Sequence, residues 1–379
     1  MDNVPIIGLD ELDKHLDDLI ADPNLSLVHK LFDDVEIQLT DSNIPALLPS
    51  FLPKLTTLLK QYHGNPEAIV SLTIKFLGPV SFTQVLQLAS EESLIQALSA
   101  PAPDANILVM TIIGKAAATP NDAAILSVMP DLFRAFIQRW LTAPQVEVGQ
   151  KGGKVLGDLL DIDCPLPPPP PARADAPIPT HTELVLRRAP GKGLLWELLF
   201  NNESMYRLLL DILSGRDEAL AEGDTHQLSL AHGRILRILP RLATLNLEAI
   251  STSQFTATTP SYNINGHSAG FEDGSMSAPR PGDGLLQFAA LYMVDKKDVL
   301  MHFNLVDFFE TFVSLMRVAE HSARRVEITK ALLRDAVASD DTLKNALLTL
   351  PERIVEEERG LLRAWLTEIM PEELRLVIR

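Results

Sequence analysis

One pentapeptide in the chain has the form that serine hydrolases use to present a nucleophile. Residues 266–270 read GHSAG, a G-x-S-x-G pattern with Ser268 at its centre. In a hydrolase this serine sits on a sharp turn between a buried strand and a helix, which exposes its hydroxyl to a histidine base. Here proline and polar residues precede the pattern, and Gly and Pro follow it. We interpret the match as chance, and a hydrolase that uses Ser268 is the enzymatic alternative.

A second stretch imitates a phosphate-binding loop. Residues 149–155 read GQKGGKV, but Val148 stands where that loop needs its first glycine and Val155 where it needs Ser or Thr. On a helical wheel the glycines instead share a side with the apolar residues. They are Gly149, Gly152 and Gly153. Glycine disfavours helix, so three of them on a buried face predict that a neighbouring helix approaches closely there.

The titratable side chains form no constellation that indicates catalysis or metal binding. No two of the nine histidines are four residues apart, the spacing that puts two ligands on one helical face. The single cysteine, Cys164, excludes an intramolecular disulfide and a multi-cysteine zinc site. Asp307 and Glu310 share a helix face at a spacing too common to indicate a general base. We predict no catalytic residue, no cofactor and no metal.

The elements that carry these residues are predicted to be helices. The chain is 46% hydrophobic and only 6% aromatic, and its apolar residues are mainly Leu, Ile, Val and Ala. They recur at three- and four-residue spacing, the pattern of an amphipathic helix, in residues 9–20, 27–39, 47–59, 205–213, 230–245, 305–316 and 360–369. The pattern predicts an all-α chain of helical hairpins. It also places in the core the aromatic residues Phe303, Phe308, Phe309, Phe312 and Trp365.

Two stretches interrupt the helical pattern and divide the chain. One contains five consecutive prolines, Pro167–Pro171, which favour an extended conformation. The other is rich in Ser, Thr, Gly and Pro and contains GHSAG, as a polar surface insertion does. We predict N-terminal helical repeats at 1–163, a proline-rich connector at 164–193, central repeats at 194–250, a flexible polar insertion at 251–284 and C-terminal repeats at 285–379.

Two phrases recur along the chain and indicate a repeat. In the first, a proline precedes an apolar run at Pro66, Pro103 and Pro144, intervals of about 40 residues that overlap the period of HEAT and armadillo repeats. We expect these prolines in first helical turns, where the missing N–H does no harm. In the second phrase a capping side chain and acidic residues precede an apolar run, near residues 90, 201 and 339. The fold class predicted is an α-solenoid of degenerate HEAT/armadillo-like helical repeats.

The charge of the chain limits its partners. The formal net charge is −17 and the isoelectric point is near 4.9. Such a chain is repelled by nucleic acid and by anionic membranes, and its closest basic groups are only pairs, Arg187-Arg188 and Arg324-Arg325. No basic n-region follows Met1, and we expect no apolar run long enough to span a bilayer. We expect a soluble intracellular protein that binds neither nucleic acid nor membrane.

The chain resembles one family of helical-repeat proteins in particular. The resemblance rests on VEVGQKGGKVLGDLLDID (146–163), on the proline break that follows it, and on GKGLLWELLFNNESMYRLLLDI (191–212). These stretches are similar to the HEAT/armadillo-type assembly chaperones of the proteasome regulatory particle, the non-ATPase subunit five family and its fungal relatives. The resemblance implies a chaperone of the cytoplasm, and also of the nucleus, that grips the C-terminal domain of a proteasomal ATPase subunit.

A polar stripe opposite the glycines is the predicted partner surface. On the helix over residues 146–163 it comprises Glu147, Lys151, Asp158 and Asp161, and Glu197 and Arg207 lie on the next helices. Solenoids bind partners along such exposed faces of successive repeats. A different HEAT/armadillo adaptor, such as a transport or phosphatase scaffold, has the same kind of composition and helical periodicity and is the main alternative.

Overall fold

The chain is helical in the residues that the computed structural model describes, 6–165, 190–220, 224–255, 280–319 and 321–372. These residues form eighteen α-helices and no β-strand, with a single isolated bridge between Thr252 and Asp283. The predicted all-α fold is confirmed. The chain divides into two compact units, residues 1–116 and 117–379.

The first unit contains seven helices: α1 (Leu9–Ala21), α2 (His29–Glu36), α3 (Ile44–Gln61), α4 (Glu67–Leu77), α5 (Phe82–Leu86), α6 (Glu91–Ser99) and α7 (Pro103–Gly114). Its core begins on α1, where Leu12, Leu16 and Leu19 recur at the helical period and are fully buried. They join one apolar cluster with residues of α2, α3 and α4. Lys54 of α3 binds Asp13 of α1 at 2.8 Å on the edge of that core.

The described residues of the second unit form eleven helices: α8 (Pro120–Ser127), α9 (Pro130–Thr142), α10 (Val146–Ile162), α11 (Leu194–Trp196), α12 (Glu203–Leu213), α13 (Thr225–Ser251), α14 (Leu285–Gln287), α15 (Val299–Val318), α16 (Ala323–Val337), α17 (Asp341–Thr349) and α18 (Glu356–Ile369). The longest, α13, contacts α9, α10, α12, α14, α15 and α16. Asn246 interrupts α13 with φ −151° and ψ 81°. Its Oδ1 accepts a hydrogen bond from the N–H of Ala249 at 3.1 Å and so caps the last turns of the helix.

The capping residues of the second repeated phrase act as the sequence predicts. Ser90 caps α6 by accepting from the N–H of Ser93, Asn202 caps α12, and Asp340 caps α17. The first phrase is less regular. Pro103 is the first residue of α7, but Pro66 only precedes α4, and Pro144 lies two residues before α10 begins. In these two phrases the capping side chains therefore mark helix starts more reliably than the prolines do.

Similar segments follow the two stretches that interrupt the helices. Residues 190–195 read PGKGLL and residues 281–286 read PGDGLL. Each enters a three-residue α-helix, α11 or α14, which continues as a five-residue π-helix, Glu197–Asn201 in one case and Phe288–Tyr292 in the other. This repetition, which was not predicted, joins a sequence motif to a rare local geometry.

The first of these segments returns to the end of the helix that precedes it. The N–H of Gly191 donates to the carbonyl of Cys164 at 2.7 Å, and that of Gly193 donates to Asp163 at 2.9 Å. A Cβ on Gly191 would lie 2.0 Å from the carbonyl carbon of Asp163, so a larger residue does not fit. The buried carboxylate of Asp163 accepts from the N–H of Leu195 at 2.6 Å and thereby caps α11.

The second segment makes the same kind of closure. The N–H of Ser253 donates to the carbonyl of Gly282, and the N–H of Gly284 to that of Ser251, both at 3.1 Å. A Cβ on Gly284 would lie 2.4 Å from the carbonyl oxygen of Ile250. The end of α13 and the start of α14 are thus joined directly by hydrogen bonds.

The predicted boundaries at 163, 193, 250 and 284 all fall inside the second unit, and they stay predictions. Most of the predicted connector and insertion lies outside the described residues, and so does Ser268 with its pentapeptide. The stretch that imitates a phosphate-binding loop lies within α10, as the helical interpretation predicts.

The helix α15 corrects two expectations. By length and composition alone it is the one described helix that could cross a membrane, although the sequence analysis expects no such run. It packs against α13, α17 and α18 and buries Phe308, Phe309 and Phe312, as the core helix of a soluble domain also does. Phe303 is 61% exposed, so its placement in the core was wrong. It stands nine residues before Phe312, on the opposite side of the helix.

Candidate functional site

The glycines of α10 lie against large side chains of neighbouring helices. A Cβ added at each of three glycines would approach one such side chain to between 2.2 and 2.5 Å. The pairs are Gly149 with Arg234, Gly152 with Trp140, and Gly157 with Arg241. The packing role predicted for Gly149 and Gly152 is confirmed, whereas Gly153 is only half-buried and Gly157 takes its place. The absence of a Cβ lets α9 and α13 place these side chains on the surface of α10.

Arg234 of α13 is held by the end of α9. Its Nη1 donates to the carbonyls of Trp140 and Leu141 at 2.9 and 3.0 Å, and its Nη2 donates to Gln145 at 3.0 Å. The carbonyls of Trp140 and Leu141 have no partner inside α9, and a cation near them is favoured by the helix dipole. The carbonyl of Gln145, which precedes α10, also accepts from the N–H of Gly149 at 3.3 Å. Burial lowers the pKa of Arg234 to about 10, so the guanidinium stays charged at neutral pH.

A groove of about 520 Å³ opens beside this packing. It is bordered by α10, by α13 and by the first turns of α15, and Trp140 and Gly149 lie at its base. Its basic and titratable lining residues are Lys154, His226, Arg234, Arg237 and Arg241. No Asp or Glu is among the described residues that line it. We call it the basic groove, and it is a cationic cavity in a chain whose net charge is −17.

The cations of the basic groove differ in how far they are already neutralised. Arg241 Nη2 binds Asp158 Oδ1 at 2.9 Å and Asp161 Oδ2 at 3.3 Å. Lys154 and Arg237 are exposed and form no ion pair with any described residue. A small depression beside the groove, lined by Arg237, also contains Asp307. Lys154 and Arg237 are therefore the charges free to meet an anionic group.

The rim of the basic groove is apolar. Val146, the first residue of α10, is 58% exposed, and Leu300 in the first turn of α15 is 69% exposed. Val299 and Phe303 lie next to Leu300 on the same helix and are also more than half exposed. Apolar side chains clustered around a polar cavity are typical of a surface that another molecule covers.

In the structure, the residues of the predicted polar stripe on α10 differ in exposure and in ion pairing. Asp158 and Asp161 are half-buried and bind Arg241 of the same chain. Lys151 is also half-buried, and burial, with the charge of Lys154, lowers its pKa. Glu147 is exposed in the first turn of the helix. A role of these residues in binding a partner stays a prediction.

The two predicted partner residues outside α10 are exposed and bind near neighbours. Glu197 accepts a hydrogen bond from Asn201 Nδ2 at 2.9 Å. Arg207 of α12 binds Glu203, one helical turn earlier, at 2.7 Å. Exposed pairs of this kind contribute little to the free energy of folding. Glu197 and Arg207 are thus accessible, and their function also stays a prediction.

The arginines of the basic groove were not predicted from the sequence. Arg234, Arg237 and Arg241 recur at i, i+3 and i+7, which places them on one side of α13. They are not adjacent in sequence, unlike the pairs Arg187-Arg188 and Arg324-Arg325. A wheel drawn over residues 230–245 would have shown the stripe, although not the residues of α10 and α15 that complete the groove.

A second groove lies in the first unit, among α3 to α7. Its volume is about 440 Å³, and most of its lining is apolar, including Leu52, Leu59, Leu88 and Leu108. No group of three or more His, Cys, Asp or Glu that could hold a metal occurs in the described part of the chain. Glu310 binds Arg353 at 3.0 Å, so one of the two carboxylates on that helix face serves an ion pair.

The chain matches no model of a protein family, and a search of curated proteins finds no match to it.

Proposed function

We propose that the chain is a protein-binding scaffold whose partner covers the basic groove. The carrying observation is the exposed apolar rim at Val146 and Leu300 around a cavity with two unpaired cations. Covering apolar side chains releases about 25 cal/mol per Å² of surface. Because no acid lines the cavity among the described residues, charge can fix the orientation of the partner.

We further propose that the helices stack as degenerate HEAT/armadillo-like repeats. Helices that follow one another in sequence contact each other in several places, as α1 with α2, α3 with α4, α9 with α10 and α16 with α17. The repeated PGxGLL segments with their π-helices also support descent from a repeating unit. Stacked hairpins of this kind leave a long accessible face for a partner.

The specific form that we propose is a chaperone in assembly of the proteasome regulatory-particle base. It rests on the resemblance carried by residues 146–163 and 191–212. These residues form α10, which borders the basic groove, and α11 and α12, which lie in the same unit. The partner would be the C-terminal domain of an ATPase subunit, in the cytoplasm and the nucleus.

The test is capture of proteasomal ATPase C-terminal domains, each presented singly to the full chain. We expect one domain to bind and the double variant V146D/L300D to weaken its capture about tenfold, since two apolar contacts are lost. The matched control is V128D, because Val128 is 75% exposed and lies outside the groove. Capture of no ATPase domain, together with stable binding to transport or phosphatase components, would establish the alternative adaptor function.

A further inference from the structure

We infer that the basic groove recognises an acidic, leucine-rich segment of its protein partner. The inference rests on the proposed function, because it names the chemistry of the segment that the scaffold binds. The groove presents Lys154 and Arg237 without an ion-pair partner among the described residues. It also presents Val146 and Leu300 on its rim. A carboxylate and an apolar side chain, alternating along one segment, complement both features.

The dimensions of the groove suit an extended peptide. His226 and Arg241 lie at the two ends of the basic side of α13. At a rise of about 1.5 Å per residue they are about 23 Å apart. An extended peptide rises about 3.3 Å per residue, so about seven residues span this length. Such a segment places carboxylates near Arg237 and Lys154 and leaves alternate side chains for the rim.

Protein chemistry fits this groove better than nucleic acid. Single strands bind on several exposed aromatic side chains that stack with bases. Among the described residues, Trp140 is the one Phe, Tyr or Trp in the lining and is fully buried, and beside the rim Phe303 alone is exposed. Phosphate backbones also need many free cations, and among the described residues of the groove only Lys154 and Arg237 are cations without an ion pair. The net charge of −17 repels a long polyanion, whereas a short acidic segment meets mainly the local charge.

Asp158 and Asp161 reduce the positive charge of the groove by holding Arg241. Neutralising both carboxylates leaves Arg241 charged and free to turn to a ligand. If the groove binds the acidic segment, D158N/D161N should increase the affinity about threefold, because Arg241 then adds one exposed charge to the groove. If instead the two aspartates contact the partner themselves, the same variant weakens binding. One double substitution therefore separates the groove from the polar stripe.

The experiment measures fluorescence anisotropy of a labelled peptide of about 12 residues that alternates Glu with Leu. We expect binding to the full-length chain, no binding of the peptide with Lys in place of Glu, and a loss on adding salt. K154Q/R237Q should weaken binding about tenfold. Both side chains are exposed, so folding is unaffected. The control K192Q/R324Q removes the same charge outside the groove and should change nothing.

Three results would overturn the inference. Equal affinity in wild type and K154Q/R237Q would show that the peptide binds elsewhere. Tighter binding of a single-stranded oligonucleotide, lost in K154Q/R237Q, would assign the groove to nucleic acid. Self-association of the chain that is abolished by K154Q/R237Q would assign it to a second copy. If the chain captures an ATPase domain but does not bind the peptide, this inference is wrong and the chaperone role stands. If it binds the peptide but captures no ATPase domain, the chaperone role is wrong and this inference stands.

Discussion

Several polar side chains inside the helical units bind the carbonyl ends of neighbouring helices. Asn106 Nδ2 donates to Ala97 and Leu98 at the end of α6, at 2.8 and 3.1 Å. Arg234 donates to the Trp140 carbonyl at the end of α9, and His232 Nε2 forms a hydrogen bond with the Leu213 carbonyl at the end of α12. The last carbonyls of a helix have no partner of their own, so each interaction satisfies two buried groups at once.

The buried His232 is expected to make the protein less stable in acid. Burial lowers its pKa to about 4, with the hydrogen bond to Leu213 opposing the shift, whereas the unfolded chain titrates at 6.5. Because the unfolded state takes up the proton first, this contribution to stability is complete above pH 6.5 and is lost as the pH falls towards 4. The total loss is about 3 kcal/mol.

Urea unfolding of wild type and His232→Gln measures this effect. Between about pH 7 and about pH 4.5 the wild type should lose about 2 to 3 kcal/mol more than the variant. Glutamine retains a donor for the Leu213 carbonyl, so the comparison isolates the titration. The same pH slope in both proteins would contradict the assignment of His232.

At the scale of elements, α10 depends on glycines that a single methyl group would disturb. In Gly152→Ala the new Cβ would lie 2.5 Å from Cδ1 of Trp140, which is fully buried and has little room to move. Overpacking of this kind destabilises by about 1 to 3 kcal/mol. We expect a lower urea midpoint in G152A with an unchanged slope.

Gly360→Ala is the matched control for that substitution. Gly360 lies within α18, and a Cβ there meets no atom within 4 Å. Alanine is the better helix former, so G360A should stabilise the protein by about 0.5 to 1 kcal/mol. Opposite signs for the two variants are expected, and a stable G152A would show that α9 and α10 do not pack as described.

The closure at Gly284 predicts that the polar insertion is dispensable for folding. Hydrogen bonds join Ser253 to Gly282 and Ser251 to Gly284. Deleting residues 257–278 leaves both contacts in place and removes Ser268. We expect the melting temperature of the deletion variant to stay within about 4 °C of wild type, a change of less than about 1 kcal/mol.

Gly284→Ala is the informative comparison for the deletion. Its Cβ would lie 2.4 Å from the carbonyl oxygen of Ile250, so it should disrupt the closure that the deletion preserves. We expect G284A to melt well below both wild type and the deletion variant. A cooperative loss of stability in the deletion variant itself would mean that residues 257–278 belong to the folded core.

At the scale of the whole molecule, charge is distributed unevenly. The chain carries 50 acidic and 33 basic residues, yet the basic groove in the second unit has no acid in its described lining. The excess of negative charge destabilises the folded state through repulsion, and salt screens that repulsion. Most of the ion pairs in the described residues have an exposed member and contribute little.

Raising the salt concentration should therefore stabilise the protein. Between about 20 mM and about 300 mM NaCl we expect the melting temperature to rise by a few degrees, because screened repulsion outweighs weakened surface pairs. Calorimetry at constant pH measures it. A falling melting temperature would show that ion pairs, and not net charge, dominate the electrostatic free energy.

The sequence by itself determined the helical class and the starts of α6, α12 and α17. The three- and four-residue spacing of apolar residues in residues 9–20 and 305–316 is a local signal, and so are the caps at Ser90, Asn202 and Asp340. Each acts within one or two turns of the chain. The helices and these caps were found where such signals predicted them. The glycine side of α10 was also correctly expected to be a packing surface.

Only the tertiary structure decided what the charged residues do. Arg241 binds Asp158 and Asp161 from 83 and 80 residues away, and Arg234 reaches the end of α9 from 94 and 93 residues away. No periodicity within one helix reports which other helix packs against it, because that choice depends on the summed burial of many distant side chains. Hence an acidic chain without an evident basic cluster contains a cationic groove.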